Sequence, residues 1–103
     1  MKTHKSIVDI RGTTRWYNQQ GQIHNEYGPA VIWANGDKFW YYNGKMHREV
    51  GPAAIYANGD KAWYMNDKRH REDGPAIEYA DGGKSWYIND EKVTEQQFSA
   101  QNF

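Results

Sequence analysis

The amino-acid sequence predicts an all-β protein: an elongated antiparallel sheet of stacked β-hairpin repeats with a 23-residue period. Three observations carry that expectation. Gly28-Pro29-Ala30 returns as Gly51-Pro52-Ala53 and as Gly74-Pro75-Ala76. Turn dipeptides (Asn35-Gly36, Asn43-Gly44, Asn58-Gly59, Asn66-Asp67, Asp81-Gly82, Asn89-Asp90) separate short runs rich in aromatic and β-branched residues. Away from the two ends, Gly and Asn-Gly breaks fall too often for a helix to propagate.

The copies are unequal. Residues 28–50 and 51–73 agree at 16 of 23 positions, and 51–73 agrees with 74–96 at 12. A worn first copy spans about 5–27, with Val8 falling on Val31, Ile10 on Trp33, Arg15 on Lys38, Tyr17 on Trp40, Gly21 on Gly44 and His24 on His47. Residues 97–103 form a tail. Outer repeats have one neighbour and one solvated end, so the first and last copies read as caps of a single domain covering residues 1–103.

Within the second copy, Ala30 to Ala34 is a β-favouring run, and Asn35-Gly36 is a hairpin signal. Lys38 to Tyr42 makes the return strand, Asn43-Gly44 the next turn, and Lys45-Met46-His47 a brief third strand. Pro52 lacks an amide donor and has a fixed φ, which places the Gly-Pro corner at a bend between units. A two-residue loop at Asn35-Gly36 sets Trp33 opposite Lys38 and Val31 opposite Trp40. Val31, Trp33, Trp40 and Tyr42 then share the packed face, with Trp40, Trp63 and Trp86 as an aromatic ladder. Ile32, Phe39 and Tyr41 fall on the opposite face. A two-residue turn at Asn43-Gly44 sets His47 across from Trp40. The residues around Phe98 and Phe103 are expected to cover one end of the sheet, whose edges are otherwise open.

Composition narrows the function classes. The chain of 103 residues has no leucine and only 11 isoleucines and valines, so five Trp, eight Tyr and three Phe must supply the apolar area. Thirteen basic and thirteen acidic residues cancel, which argues against a nucleic-acid or anionic-membrane surface. With no cysteine there is no disulfide or thiolate metal site, and no apolar stretch is long enough to span a membrane. A cytoplasmic location is expected, in the host cytoplasm if the protein is phage-encoded.

The pattern H-R-E-x-G-P-A-x-x-Y-A-x-G-x-K-x-W-Y-x-N-[GD]-x-x-H, from His47 to His70, resembles the MORN repeat, especially its bacterial and phage variant. The likeness covers residues 5–96. Where a standard MORN repeat has Gly-x-Gly after the histidine, this chain has Arg48-Glu49-Val50-Gly51-Pro52. The resemblance implies rods or troughs of β-hairpins used for protein scaffolding, dimerisation and sometimes lipid association, with no catalytic residue in the pattern.

Candidate sites follow from what recurs. His24, His47 and His70 stand one per copy, too far apart along a sheet to share a metal ion, and are expected to be structural, each with a nitrogen bonded to a carboxylate or carbonyl. No metal or other cofactor is expected. Arg48-Glu49 and Arg71-Glu72 suit either an ion network at the Gly-Pro corners or a charged stripe offered to a partner. Trp33, Phe39, Tyr41, Arg48, Tyr64 and Arg71 combine aromatics with arginine, the mixture that anchors interfaces. They are the expected contacts of a non-enzymatic protein-binding module, a small inhibitor or adaptor acting by surface occlusion on a protein partner, or a homodimer. Two alternatives stay open: a small-ligand (nucleotide-like) binding protein formed by a dimer, and a small hydrolase using His47, His70 and neighbouring carboxylates.

Overall fold

A computed structural model describes residues 5–101. Thirteen strands are present among them: β1 (Lys5–Val8), β2 (Thr14–Tyr17), β3 (Val31–Ile32), β4 (Lys38–Phe39), β5 (Tyr41–Tyr42), β6 (Lys45–Met46), β7 (Ala54–Ile55), β8 (Lys61–Ala62), β9 (Tyr64–Met65), β10 (Lys68–Arg69), β11 (Ile77–Glu78), β12 (Lys84–Ile88) and β13 (Glu91–Val93). One helix, α1 (Glu95–Gln101), follows. Nine strands make an antiparallel sheet in the order β1-β2-β3-β4-β7-β8-β11-β12-β13. β5 pairs with β6 and β9 with β10 as separate two-stranded hairpins. The molecule is elongated, with extents of 44 × 30 × 18 Å.

Each return strand serves two neighbours, and a tryptophan marks the hand-over. The Trp40 amide donates forward to Ala53 O at 2.7 Å, while Trp40 O accepts from His47 N at 3.0 Å. Trp63 repeats both bonds, to Ala76 O at 2.7 Å and from His70 N at 3.1 Å. His47 therefore lies across from Trp40, as expected. The short hairpins also join one another: Asp67 N donates to Met46 O and Asp90 N to Arg69 O, each at 2.8 Å.

The two turns of a unit differ. Asn43 and Gly44 have φ of 49° and 83°, so both central residues are left-handed and Tyr42 pairs with Lys45. At Asn35-Gly36 only Gly36 has positive φ, at 102°. There Trp33 N donates to Asp37 O, closing a three-residue loop of Ala34, Asn35 and Gly36. Asn35 contributes its side chain instead, with Oδ1 accepting Asp37 N at 2.9 Å.

That extra loop residue overturns the expected facing. Val31 pairs with Phe39 rather than Trp40, and Ile32 pairs with Lys38. A one-residue shift moves the whole return strand to the other face. The column facing one side is therefore Val31, Phe39, Ala54, Ala62, Ile77 and Ser85. Val31, Ala54, Ala62 and Ser85 in it are buried. The tryptophans belong to the side opposite Phe39, and Trp40, Trp63 and Trp86 are half-buried rather than enclosed.

The deepest described positions are Ala54 and the three equivalent alanines Ala30, Ala53 and Ala76, each 0% exposed. Both Ala30 and Val31 oppose Phe39, because Ala30 N also donates to Phe39 O at 2.8 Å. This is a bulge, repeated where Ala53 and Ala54 oppose Ala62. It falls just after the proline, at alanines with no exposed surface.

The first copy is also shifted relative to the sequence alignment. Trp16, not Tyr17, takes the place of Trp40, since Trp16 N donates to Ala30 O and Trp16 O accepts from His24 N. A longer loop explains the offset: Asn18 N donates to Gln22 O across Gln19, Gln20 and Gly21.

At the C-terminal end, Thr94 starts α1 with a reciprocal cap. Gln97 N donates to Thr94 Oγ1 at 3.0 Å and Thr94 N donates to Gln97 Oε1 at 2.8 Å. Phe98 on this helix is 6% exposed, and α1 packs on β12. Phe103 lies outside the described residues. No helix of the described residues is long and apolar enough to cross a membrane.

Candidate functional site

The shifted register brings tyrosines together. Tyr56 lies two residues beyond Ala54, on the Phe39 side, and its ring meets Phe39 edge-on with centroids 5.5 Å apart. Tyr41 and Tyr64 are close enough to Tyr56 to influence its titration. Burial pushes the phenols of Tyr41, Tyr56 and Tyr64 above their ordinary value, and nearby carboxylates add to it: Asp67 for Tyr41, Asp37 and Asp60 for Tyr56. For Tyr64 the Arg69 charge partly offsets the shift, with Asp90 acting the other way. Among the described residues these three hydroxyls make no hydrogen bond.

The aspartates come from the turns at both ends of the strands. Asp37 Oδ1 accepts Ala57 N and Asp60 Oδ1 accepts Ala80 N, each at 2.7 Å, linking successive loops. At the other end Asp67 Oδ1 accepts Met46 N at 2.8 Å, and Asp90 Oδ1 accepts Arg69 Nε at 2.6 Å. The resulting surface has an aromatic floor and carboxylate rims.

Of the expected contact residues, Phe39, Tyr41 and Tyr64 share this face. Trp33, 41% exposed, lies on the same side at the loop end, with the Arg15 guanidinium 5.2 Å from its ring. The structure does not bring the arginines there. Arg48 stacks on Trp40 and Arg71 on Trp63, each 3.9 Å from the ring centroid, on the other side of the strands. Arg48 Nη1 donates to Pro52 O at 2.9 Å and Arg71 Nη1 to Pro75 O at 3.0 Å. The glycine of each corner lies against the guanidinium: a Cβ on Gly51 would sit 3.2 Å from Arg48 Cζ, and one on Gly74 2.9 Å from Arg71 Cζ. Each guanidinium therefore fills a slot between a tryptophan and the Gly-Pro backbone. Burial lowers the pKa of Arg48.

The glutamates beside these arginines turn to histidine instead. His47 Nε2 meets Glu49 at 2.6 Å and His70 Nε2 meets Glu72 at 3.0 Å. The other ring nitrogen accepts a backbone amide from the next hairpin: Asn43 N to His24 Nδ1 at 2.8 Å, Asn66 N to His47 at 3.1 Å and Asn89 N to His70 at 3.0 Å. Accepting at Nδ1 places the proton of a neutral ring on Nε2, where it donates to the glutamate. Each histidine thus ties two consecutive units. Among the described residues no three His, Asp or Glu side chains gather to hold a metal ion.

Sequence reasoning missed Tyr56 as a member of the aromatic face and the aspartate rims. The recurrence of Asp37 at Asp60, one residue after each turn glycine, was the available signal. Compared with protein-family models, curated proteins and solved structures, the chain matches none of them.

Proposed function

We propose that the protein is a non-enzymatic protein-binding module that occludes part of a partner's surface through its tyrosine-lined face, as a small cytoplasmic inhibitor or adaptor. The observation that carries this reading is the gathering of Phe39, Tyr41, Tyr56 and Tyr64 on one sheet face, with three phenol hydroxyls that make no hydrogen bond among the described residues. Tyrosine supplies broad contact area at small entropic cost and a hydroxyl that a partner can satisfy. The histidines support the same reading, because in His47 and His70 one ring nitrogen accepts an amide of the next unit and the other meets a glutamate of its own unit, so both are engaged in holding the fold. A role in protein scaffolding is also what the resemblance to MORN repeats implies.

Affinity capture from the producing cell, comparing the native chain with Tyr41→Ser and Tyr64→Ser, tests the proposal. A partner retained by the native chain should be lost from both variants while the far-ultraviolet spectrum stays unchanged. Retention by both variants refutes the proposed face, and light scattering on the same samples separates a foreign partner from a second copy of the chain.

A further inference from the structure

We infer that the station formed by Tyr64 and Asp67 receives the guanidinium of an arginine carried by the partner protein. The inference deepens the binding role proposed above and rests on it. Its basis is an internal copy of the same station, one unit further along, that the chain fills with its own arginine.

In that copy Arg69 lies over the Tyr87 ring, 4.3 Å from the centroid, and its Nε donates to Asp90 Oδ1 at 2.6 Å. Ring and carboxylate together hold a cation: the π face attracts the guanidinium while the carboxylate accepts its N–H. Both partners respond. The hydrogen bond raises the Arg69 pKa and lowers that of Asp90.

The preceding unit has the same backbone arrangement. Asp67 N donates to Met46 O as Asp90 N donates to Arg69 O, and Asp67 Oδ1 accepts Met46 N as Asp90 Oδ1 accepts Arg69 N. Tyr64 stands where Tyr87 stands, and Asp67 where Asp90 does. Met46 replaces Arg69, however, so among the described residues no guanidinium bonds Asp67, and Arg69, which pairs across from Tyr64, is committed to Tyr87 and Asp90. Asp67 is exposed, and its Oδ2 makes no hydrogen bond among the described residues. Rim carboxylates at Asp37 and Asp60 act on the neighbouring Tyr56, while Tyr64 itself feels Asp90 and Asp67 against the opposing charge of Arg69. A lysine could satisfy the charge, but the planar fork of arginine matches a ring beside a carboxylate, as Arg69 does in the next unit.

The test is an NMR titration of the native chain with a capped Gly-Arg-Gly peptide and with its neutral citrulline counterpart. The arginine peptide should shift the Tyr64 ring and Asp67 signals, saturating at about millimolar concentration as expected for one side chain. Asp67→Asn keeps an acceptor for Met46 N, and Met46→Arg supplies the guanidinium from within. Each should weaken the peptide by roughly tenfold, the scale of one charged hydrogen bond. No shift with the arginine peptide, equal shifts with citrulline, or unchanged affinity in both variants would overturn the inference. If the captured partner is lost from Tyr64→Ser but not from Asp67→Asn, the station fails while the binding face stands.

Discussion

Replacing Arg71 by alanine separates a structural clamp from a free contact. The native side chain stacks on Trp63 at 3.9 Å and donates to Pro75 O at 3.0 Å. It also bonds Asp73 at 2.8 Å and Glu78 at 3.0 Å, and its side chain is only 19% exposed. A partly desolvated cation–π contact is worth about 1 kcal/mol. A charged hydrogen bond to a carbonyl adds about 1.5 kcal/mol, and each rim ion pair about 0.5 kcal/mol. Arg71→Ala should therefore destabilise the protein by about 3.5 kcal/mol. Arg48 has the tryptophan and the carbonyl but no carboxylate, because Val50 and Ile55 replace Asp73 and Glu78. Its alanine variant should cost about 1 kcal/mol less. Urea unfolding followed by tryptophan fluorescence measures both. A loss under 0.5 kcal/mol for each variant, the size of an ordinary surface change, would refute the clamp and return these arginines to the free surface.

Gly59 and Gly82 both have positive φ, 101° and 95°, but an added Cβ at Gly59 meets Ala80 Cβ at 3.2 Å whereas Gly82 has open space. Gly82→Ala should cost about 1 kcal/mol from backbone strain, and Gly59→Ala measurably more in the same unfolding assay. Hydrogen bonds from arginine hold the Asp73 and Asp90 carboxyls below their ordinary value, so both contribute stability above the unfolded pKa of about 3.9 and lose it as pH falls further. Asp73→Asn and Asp90→Asn should flatten the decline of stability below about pH 4 in thermal melts across pH. Thr94→Ala removes one half of the helix cap and should cost about 1 kcal/mol, with faster amide exchange through α1.

How legible the site was depended on single residues. Asn43-Gly44 was readable as a two-residue turn, and the placement of His47 across from Trp40 followed from it. Asn35-Gly36 has the same two letters but a different solution. Its loop is closed by Asn35 Oδ1 on Asp37 N, and Asp37 Oδ1 is engaged by Ala57 N of the next unit. The first bond is local and hidden behind the Asn-Gly signal; the second joins residues 20 apart and has no local trace. The resulting shift moved Phe39 into the column with Val31 and exchanged the faces of tyrosine and tryptophan. The capping signal Thr94-x-x-Gln97 was present in the letters, yet the repeat-like β pattern overshadowed it.

The order of letters alone determined a chain of β-hairpins, because recurring turn residues and short β-favouring runs leave few other ways to pair the backbone. Tertiary structure decided which rings share a surface and which cations are already taken. Those outcomes depend on one residue of loop length and on bonds between neighbouring units, such as Asp37 to Ala57 and Asp90 to Arg69. A strand alternates its side chains at every step, so a single residue of register reverses a face that local propensity cannot see.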